Sequence, residues 1–439
     1  MYIKRIILLI LISALLISCA RLGPYRTVAD LPSEIDGKLP AQPEFNVEKS
    51  RECRNFKCIQ FVEYDQFGSL FSRAQQHAAL AAAQEVADNR GTIFVYVHGW
   101  HHSARVGDSD ISGFHTLIDR ASGTRPAVGI YVGWRGDSIK AETPVIGKLS
   151  YLLTFWGRKS TAHKVGNGGG VSELFRKLSY IRASNPSSRL VVVGHSFGGA
   201  VVYSAVSQLL IDQIHDDADL SWRAAQPRLY EPVADLVVLV NPAFEAMRLH
   251  PLYALARSVE YQPDRPPRLV VITTVADVAT RTFFPAGRHL GTLAQSYSNG
   301  QSRGLNTTAI GHYIPYVTHQ LIDDKDCNDS ADNSLSVLEA LNSPTSRCYQ
   351  GDGGETQTVR LTRCHAPNRC NEVAGGHYLA QGKASEGFMP KRFPIANIRT
   401  TGSVMNGHVD IWNPTMARFL SNLLDSTVET PTSFPMPIE

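Results

Sequence analysis

The fold is decided by the sequence LVVVGHSFGGA at residues 190–200, which is followed by the helical pattern Val201 to Leu210. The four leading apolar residues predict a buried strand, and Gly-x-Ser-x-Gly after a strand predicts a tight turn into a helix. Gly194 and Gly198 lack side chains, so the strand and the helix can approach each other closely. The hydroxyl of Ser196 is then expected at the helix N-terminus, where backbone dipoles favour negative charge. The pattern predicts a nucleophilic serine; a glycine-rich packing turn is the alternative.

Buried strands alternate with helical patterns on both sides of this turn. Further strands are predicted at 58–64, 92–97, 128–132, 236–240 and 268–273. Such alternation is typical of a mostly parallel sheet with helices on both faces, so we predict an α/β fold. The predicted core spans residues 58–282, a cysteine-containing insertion spans 283–400, and the rest of the core with a final helix spans 401–439.

The strand, turn and helix around Ser196 resemble the nucleophile elbow of α/β-hydrolases. That resemblance implies the chain order serine, acid, histidine, with the acid after the next-but-one strand. Asp277 stands just beyond strand 268–273 and is the predicted acid. Asp235 and Asp264 precede strands, which places them at the wrong edge of the sheet. A helix N-cap is the alternative role for Asp277.

The histidine should come late, on a loop before the final helix. His408 in Asn406-Gly407-His408-Val409-Asp410 meets this condition, because Gly407 frees the backbone and a helical pattern follows. His312 and His319 are the competitors. Position relative to the last helix favours His408 as the base.

Two backbone N–H groups are needed to stabilise the carbonyl oxygen as it gains charge. We predict Phe197, the residue after the serine, as one donor. The other should come from the loop after strand 92–97, which carries His98-Gly99-Trp100. Trp100 N–H is the predicted second donor, and a core aromatic is its alternative role.

Together, His98-Gly99-Trp100, the elbow, Asp277 and His408 resemble α/β-hydrolases of the esterase/lipase kind, with bacterial lipoprotein hydrolases as the nearest likeness. The resemblance covers residues 61–282 and the segment around His408. It implies a serine hydrolase that cleaves small-molecule or lipid-like carboxylic esters through an acyl-enzyme, without a cofactor. The alternatives are an amidase or peptidase, an acyltransferase, and a non-catalytic envelope protein that keeps the fold.

Other features of the sequence exclude further function classes. His98, His101 and His102 lie close together, but no carboxylate or cysteine stands at ligand spacing, so no metal site is predicted. The glycine-rich stretch 166–170 lacks the lysine of a phosphate loop and predicts a flexible turn. The formal charge of +3 falls to +1 without Lys4 and Arg5, and no basic cluster indicates a nucleic-acid partner.

The N-terminus predicts export and lipidation. Lys4 and Arg5 precede the apolar run Ile6 to Ile17, which suits a signal peptide over residues 1–18. The tetrapeptide ending at Cys19 resembles a bacterial lipobox, so we expect Cys19 to carry a lipid anchor on a tether, 19–57. Ala20 favours an outer-membrane lipoprotein facing the periplasm. An ordinary cleaved signal is the alternative.

Six cysteines remain after Cys19, an even number that predicts disulfides in an exported chain. Of the possible pairings we favour the local set, which is Cys53–Cys58, Cys327–Cys348 and Cys364–Cys370. The bulky segment 149–165 lies between strands and fits either a lid or a core helix.

Overall fold

The computed structural model of the chain describes residues 23–26, 51–55, 57–136, 148–218, 233–259, 267–324, 337, 341, 347–350, 358–364 and 393–429. The described strands are β1 (Arg51–Arg54), β2 (Lys57–Glu63), β3 (Thr92–Val97), β4 (Ala127–Gly133), β5 (Arg189–His195), β6 (Leu236–Val240), β7 (Leu269–Thr274), β8 (His319–Asp323), β9 (Arg347–Gln350), β10 (Thr358–Arg363) and β11 (Ile395–Thr400). The described α-helices are α1 (Arg73–Asp88), α2 (Ser109–Ser122), α3 (Lys148–Asn167), α4 (Gly170–Ser184), α5 (Phe197–Ala218), α6 (Ala246–Ser258), α7 (Phe284–Gly291), α8 (Gly300–Thr307) and α9 (Pro414–Glu429).

The strands form one sheet in the order β1-β2-β4-β3-β5-β6-β7-β11-β8-β10-β9. From β2 to β8 all neighbours are parallel, whereas β1 at one edge and β10 and β9 at the other pair antiparallel. Helices flank the sheet, and an apolar cluster covers each face. In β5, Leu190 and Val192 pack into one cluster while Val191 and Val193 pack into the other, which explains why this strand is apolar throughout. The predicted α/β class with a mostly parallel sheet is confirmed.

The sheet extends beyond the predicted core at both ends. Strand β1 lies within the predicted tether, and its Cys53 faces Cys58 of β2 across the antiparallel pair. The predicted disulfide between these two cysteines is confirmed. Strands β8 to β11 come from the segment predicted as an insertion, and β11 pairs parallel with β7, so this segment contributes to the main sheet.

Part of the remaining cysteine prediction lies outside the described residues. Cys364 is disulfide-bonded, but the side chains of Cys327, Cys348 and Cys370 are not described. The pairings Cys327–Cys348 and Cys364–Cys370 therefore stay predictions.

The segment that fits a lid or a core helix forms α3. Ala162 and Val165 on its second half are fully buried, and Gly166 lies against Val201 of α5, where an added Cβ would come within 2.5 Å of the Val201 carbonyl oxygen. This half of α3 is a core helix. Among the described residues, none of the helices has both the length and the apolar character needed to cross a membrane.

Candidate active site

Ser196 occupies a strained turn between β5 and α5. Its φ is +56°, in the left-handed region that residues with a Cβ rarely adopt. The surrounding chain fixes this conformation: Ser196 N–H donates to the Val240 carbonyl oxygen at 2.9 Å. A Cβ on Gly198 would lie 2.1 Å from the Val97 carbonyl oxygen, so only glycine fits there. The turn therefore holds the Ser196 side chain at the carboxyl edge of the sheet.

The structure brings the three predicted side chains together in series. Ser196 Oγ lies 2.6 Å from His408 Nε2, and His408 Nδ1 lies 2.7 Å from Asp277 Oδ2. Asp277 is fully buried, Ser196 is 1% exposed, and the side chain of His408 is 15% exposed. Burial acts to raise the pKa of Asp277, but His408 and Thr280 together lower it well below its ordinary value. Asp277 is therefore a carboxylate at neutral pH and can orient and stabilise the imidazole.

Asp277 also receives two hydrogen bonds from Thr280. Thr280 N–H donates to Asp277 Oδ1 at 3.0 Å, and the Thr280 hydroxyl donates to Oδ2. The first of these bonds caps the turn that follows, so the N-cap role proposed for Asp277 exists beside its contact with His408.

The competitor His312 lies behind the acid and not at the serine. His312 Nε2 is 2.9 Å from Thr280 Oγ1, which already donates to Asp277. Burial lowers the pKa of His312 to about 3, so the ring is neutral and Nε2–H donates to the threonine oxygen. His312 thus supports the carboxylate through Thr280.

The main chain of His408 is held by two donors that the sequence analysis did not identify. Asn241 Nδ2 and His195 Nε2 each lie 2.9 Å from the His408 carbonyl oxygen. Burial, with a contribution from His408, lowers the pKa of His195 to about 4, so its ring is neutral and Nε2–H donates. Asn241 has a φ of +45°, and its Oδ1 accepts from Thr274 N–H at 3.1 Å. His195 lies inside the decisive motif and Asn241 directly follows β6, but no spacing rule links either residue to His408.

Trp412 holds the far end of the same loop. Its Nε1–H donates to Asp110 Oδ1 at 2.9 Å, and its ring packs against Gly113 of α2. Gly407, at the start of the loop, has a φ of +118°, which confirms the expected need for glycine. Trp412 therefore anchors the far end of the loop that carries His408.

The loop after β3 passes directly over Ser196. A Cβ on Gly99 would lie 3.0 Å from the Ser196 Cβ, so the backbone of this loop approaches the serine closely. His98 shapes the loop, since its Nδ1 lies 2.8 Å from the Gly99 carbonyl oxygen and its Nε2 accepts from Trp134 N–H at 3.1 Å. Phe197 is the first residue of α5. The placement is compatible with the predicted donors, whose roles as oxyanion ligands stay predictions.

The remaining candidates serve elsewhere. Asp235 forms a buried ion pair with Arg182 at 2.7 Å. Asp235 directly precedes the first residue of β6, so it lies at the opposite end of that strand from the sheet edge that carries Ser196. His319 Nε2 lies 2.9 Å from the Leu341 carbonyl oxygen. Asp264 lies outside the described residues.

The expectation that no carboxylate lies near the histidines at 98–102 is wrong. Carboxylates do reach His102: its Nδ1 lies 2.8 Å from Asp108 Oδ1 and its Nε2 lies 3.6 Å from Asp110 Oδ1. Asp108 is the N-cap of α2 and Asp110 lies in its first turn; the fold places this helix start beside His102, and no ligand spacing in the sequence indicates that. Asp108 accepts from two backbone N–H groups, while Asp110 accepts from Tyr96 and Trp412. Protein donors thus already use these oxygens, and the group ties the two loops of the site together.

Comparisons with known proteins give little guidance. No family model matches the chain, and no curated protein matches it. Among solved structures, Trichoderma reesei cutinase in complex with a phosphonate inhibitor is 17% identical, with 38% of this chain and 67% of the cutinase covered, at a TM-score of 0.18. Legionella pneumophila phospholipase PlaB, in complex with thio-NAD, is 14% identical, with 62% and 49% covered, at 0.20. Medicago truncatula arginase is 10% identical, with 55% and 81% covered, also at 0.20. The chain spans about half the length of the phospholipase. At these TM-scores the likenesses carry no argument about function.

Proposed function

We propose that this chain is a serine hydrolase of the α/β-hydrolase fold that cleaves carboxylic esters. The observation that carries the proposal is the pair of hydrogen bonds that joins Ser196 Oγ to His408 and His408 to Asp277, at 2.6 and 2.7 Å. A serine in a strained turn, a base within reach and a buried carboxylate behind the base form the arrangement that activates a hydroxyl.

The geometry supports a two-step reaction. Ser196 Oγ attacks the ester carbonyl carbon as His408 Nε2 takes the hydroxyl proton, and Asp277 stabilises the resulting imidazolium. The N–H groups of Phe197 and Trp100 would hold the oxyanion. His408 then gives the proton to the departing alcohol, leaving an acyl-enzyme. Water attacks this ester, His408 accepts the water proton, and return of that proton to Ser196 releases the acid.

The substrate class follows from the proposed location. With Cys19 lipidated, the enzyme would be anchored in the outer membrane and face the periplasm, next to lipid-like acyl esters. The same three residues serve amidases, peptidases and acyltransferases, so matched ester and amide substrates, with and without an acceptor alcohol, separate these reactions.

A second candidate has one observation in its favour. Ser196 is only 1% exposed, as expected if the chain keeps the fold but binds an acyl chain or a protein without reacting. An enzyme closed over its serine gives the same burial, and the two cases differ in whether detergent or substrate opens the site.

The deciding experiment is labelling with a fluorophosphonate probe, with and without detergent. We expect capture by the wild type and its loss in Ser196→Ala. Ser112→Ala, at an exposed serine of α2, is the matched control and should label like the wild type. A folded wild type that is not captured in either condition would refute the hydrolase and favour the binding protein.

A further inference from the structure

Two leucines at the end of α7 are unusually exposed. Leu290 is 71% exposed and Leu293 is 80% exposed, the highest fractions among the large hydrophobic residues that the structure describes. The opposite side of α7 faces the protein: Phe284 is fully buried, and Arg288 Nε lies 3.1 Å from the buried carboxylate of Glu245. Because one side of α7 is held in the fold, Leu290 near its end and Leu293 just after it present apolar area to solvent.

The stretch of sequence that contains these leucines has positively charged residues but no acidic ones. Residues 278–322 contain no aspartate or glutamate but three arginines. Arg281 and Arg303 are exposed. The two parts of the segment are joined, since Arg288 on α7 donates to the Asn306 carbonyl oxygen on α8 at 2.9 Å, one turn from Arg303. Leu290 and Leu293 with Arg281 and Arg303 are called the leucine–arginine surface below.

Arg281 places one end of this surface near the candidate active site, since its Nη1–H donates to the Val275 carbonyl oxygen at 2.8 Å, two residues before Asp277. The segment begins directly after Asp277, at the carboxyl edge of the sheet where Ser196 also lies. Val278 and Val409, which directly follow Asp277 and His408, are 48% and 65% exposed. Two exposed apolar side chains therefore directly flank the residues of the site.

We propose that the leucine–arginine surface docks on a bilayer that contains anionic lipids. Leucine side chains enter the boundary between headgroups and acyl chains, whereas arginines pair with lipid phosphates and add favourable energy at a negative surface. Charge complementarity favours this occupant over a neutral apolar partner, because exposed arginines beside the leucines would gain nothing from the latter. The inference does not depend on the proposed reaction, because docking requires no activity of Ser196.

The test places a fluorescent reporter at the surface of the full chain. Leu293→Trp introduces an indole at the proposed contact, and Tyr180→Trp, at a 66% exposed residue of α4, is the matched control. Each full-length variant is bound to vesicles of phosphatidylcholine alone or of phosphatidylcholine with phosphatidylglycerol, with brominated acyl chains as quenchers. We expect the L293W indole to shift to the blue and be quenched on the anionic vesicles only, while the Y180W indole does not respond.

Removing the arginines gives the quantitative arm. In the L293W background, Arg281→Gln with Arg303→Gln should lower the ratio of docked to undocked protein about 30-fold, equivalent to about 2 kcal/mol. High salt should lower the same ratio. Equal quenching on neutral vesicles, or no difference between L293W and Y180W, would overturn the proposal. A blue shift without vesicles that grows with protein concentration would overturn it too, because a second copy of the chain would then cover the leucines.

Discussion

The carbonyl oxygen of His408 accepts hydrogen bonds from Asn241 and His195, and a substitution of Asn241 removes one of them. Asn241→Gly removes the side chain but keeps the left-handed backbone, whose φ is +45°, free of strain. Asn241→Ala removes the same side chain and adds a Cβ in that conformation. The difference between the two variants therefore isolates backbone strain from lost hydrogen bonds.

The structure sets the expected magnitudes. In Asn241→Gly the buried Thr274 N–H loses its acceptor, which costs about 1–3 kcal/mol, and the His408 carbonyl keeps only His195, which costs about 1 kcal/mol more. We expect the free energy of unfolding to fall by about 2–4 kcal/mol, and by about 1–2 kcal/mol further in Asn241→Ala. Because His408 loses one of its two anchors, its ring should be misplaced relative to Ser196, and reactivity should fall by up to about 100-fold.

Two assays read these effects separately. Urea denaturation gives the free energy of unfolding, and the rate of fluorophosphonate labelling gives the reactivity of Ser196 in the folded protein without any need to know the substrate. Asn89→Gly, at the exposed C-cap of α1, is the control: it removes one solvent-exposed hydrogen bond, from Asn89 Nδ2 to the Glu85 carbonyl oxygen, so stability should fall by no more than about 1 kcal/mol and labelling should not change. If Asn241→Gly is destabilised but labels at the wild-type rate, Asn241 does not position His408 and the reasoning is wrong.

Three further predictions concern Ser196, the alternative acid Asp235 and the buried His312. Ser196→Gly should be more stable than Ser196→Ala by about 1 kcal/mol, and so melt at a higher temperature, because glycine relieves the strain at a φ of +56°. Equal melting temperatures of the two variants would contradict strain at this turn. Asp235→Asn should lower stability by about 3–5 kcal/mol, since it removes the carboxylate that neutralises the buried Arg182, while the folded protein still labels at the wild-type rate. A loss of labelling in well-folded Asp235→Asn would restore Asp235 as a candidate acid. His312, with an ordinary pKa of 6.5 and a pKa of about 3 in the folded protein, binds a proton only when the chain unfolds; between pH 7 and 5 this should destabilise the fold by about 2 kcal/mol. His312→Gln, which keeps a donor for Thr280, should lose less stability than the wild type over that range in urea denaturation, and an identical loss would show that His312 does not stay neutral.

The strands that the sequence predicted are those whose apolar residues form a nearly unbroken run. Apolar runs identified the strands from β2 to β7, because strands covered on both faces are mostly apolar along their length. Strand β11 was missed, since it carries Asn397 and Arg399 and so lacks that continuous pattern, although all its residues are buried. Strands β8, β9 and β10 were missed for a related reason: polar residues, such as Gln320 in β8 and Arg360 in β10, interrupt their apolar residues.

The sequence alone predicted the α/β class, the turn at Ser196, the Cys53–Cys58 link and the positions of Asp277 and His408, because local patterns and chain order favour them. Only the tertiary structure decided what holds those residues in place. Asn241, His195, Thr280 and His312 come from separate elements, and their hydrogen bonds exist only once the parallel sheet has brought its carboxyl ends together. Contacts between residues far apart in the chain depend on the angle and register of packed elements, and a single sequence does not encode that information in any local spacing.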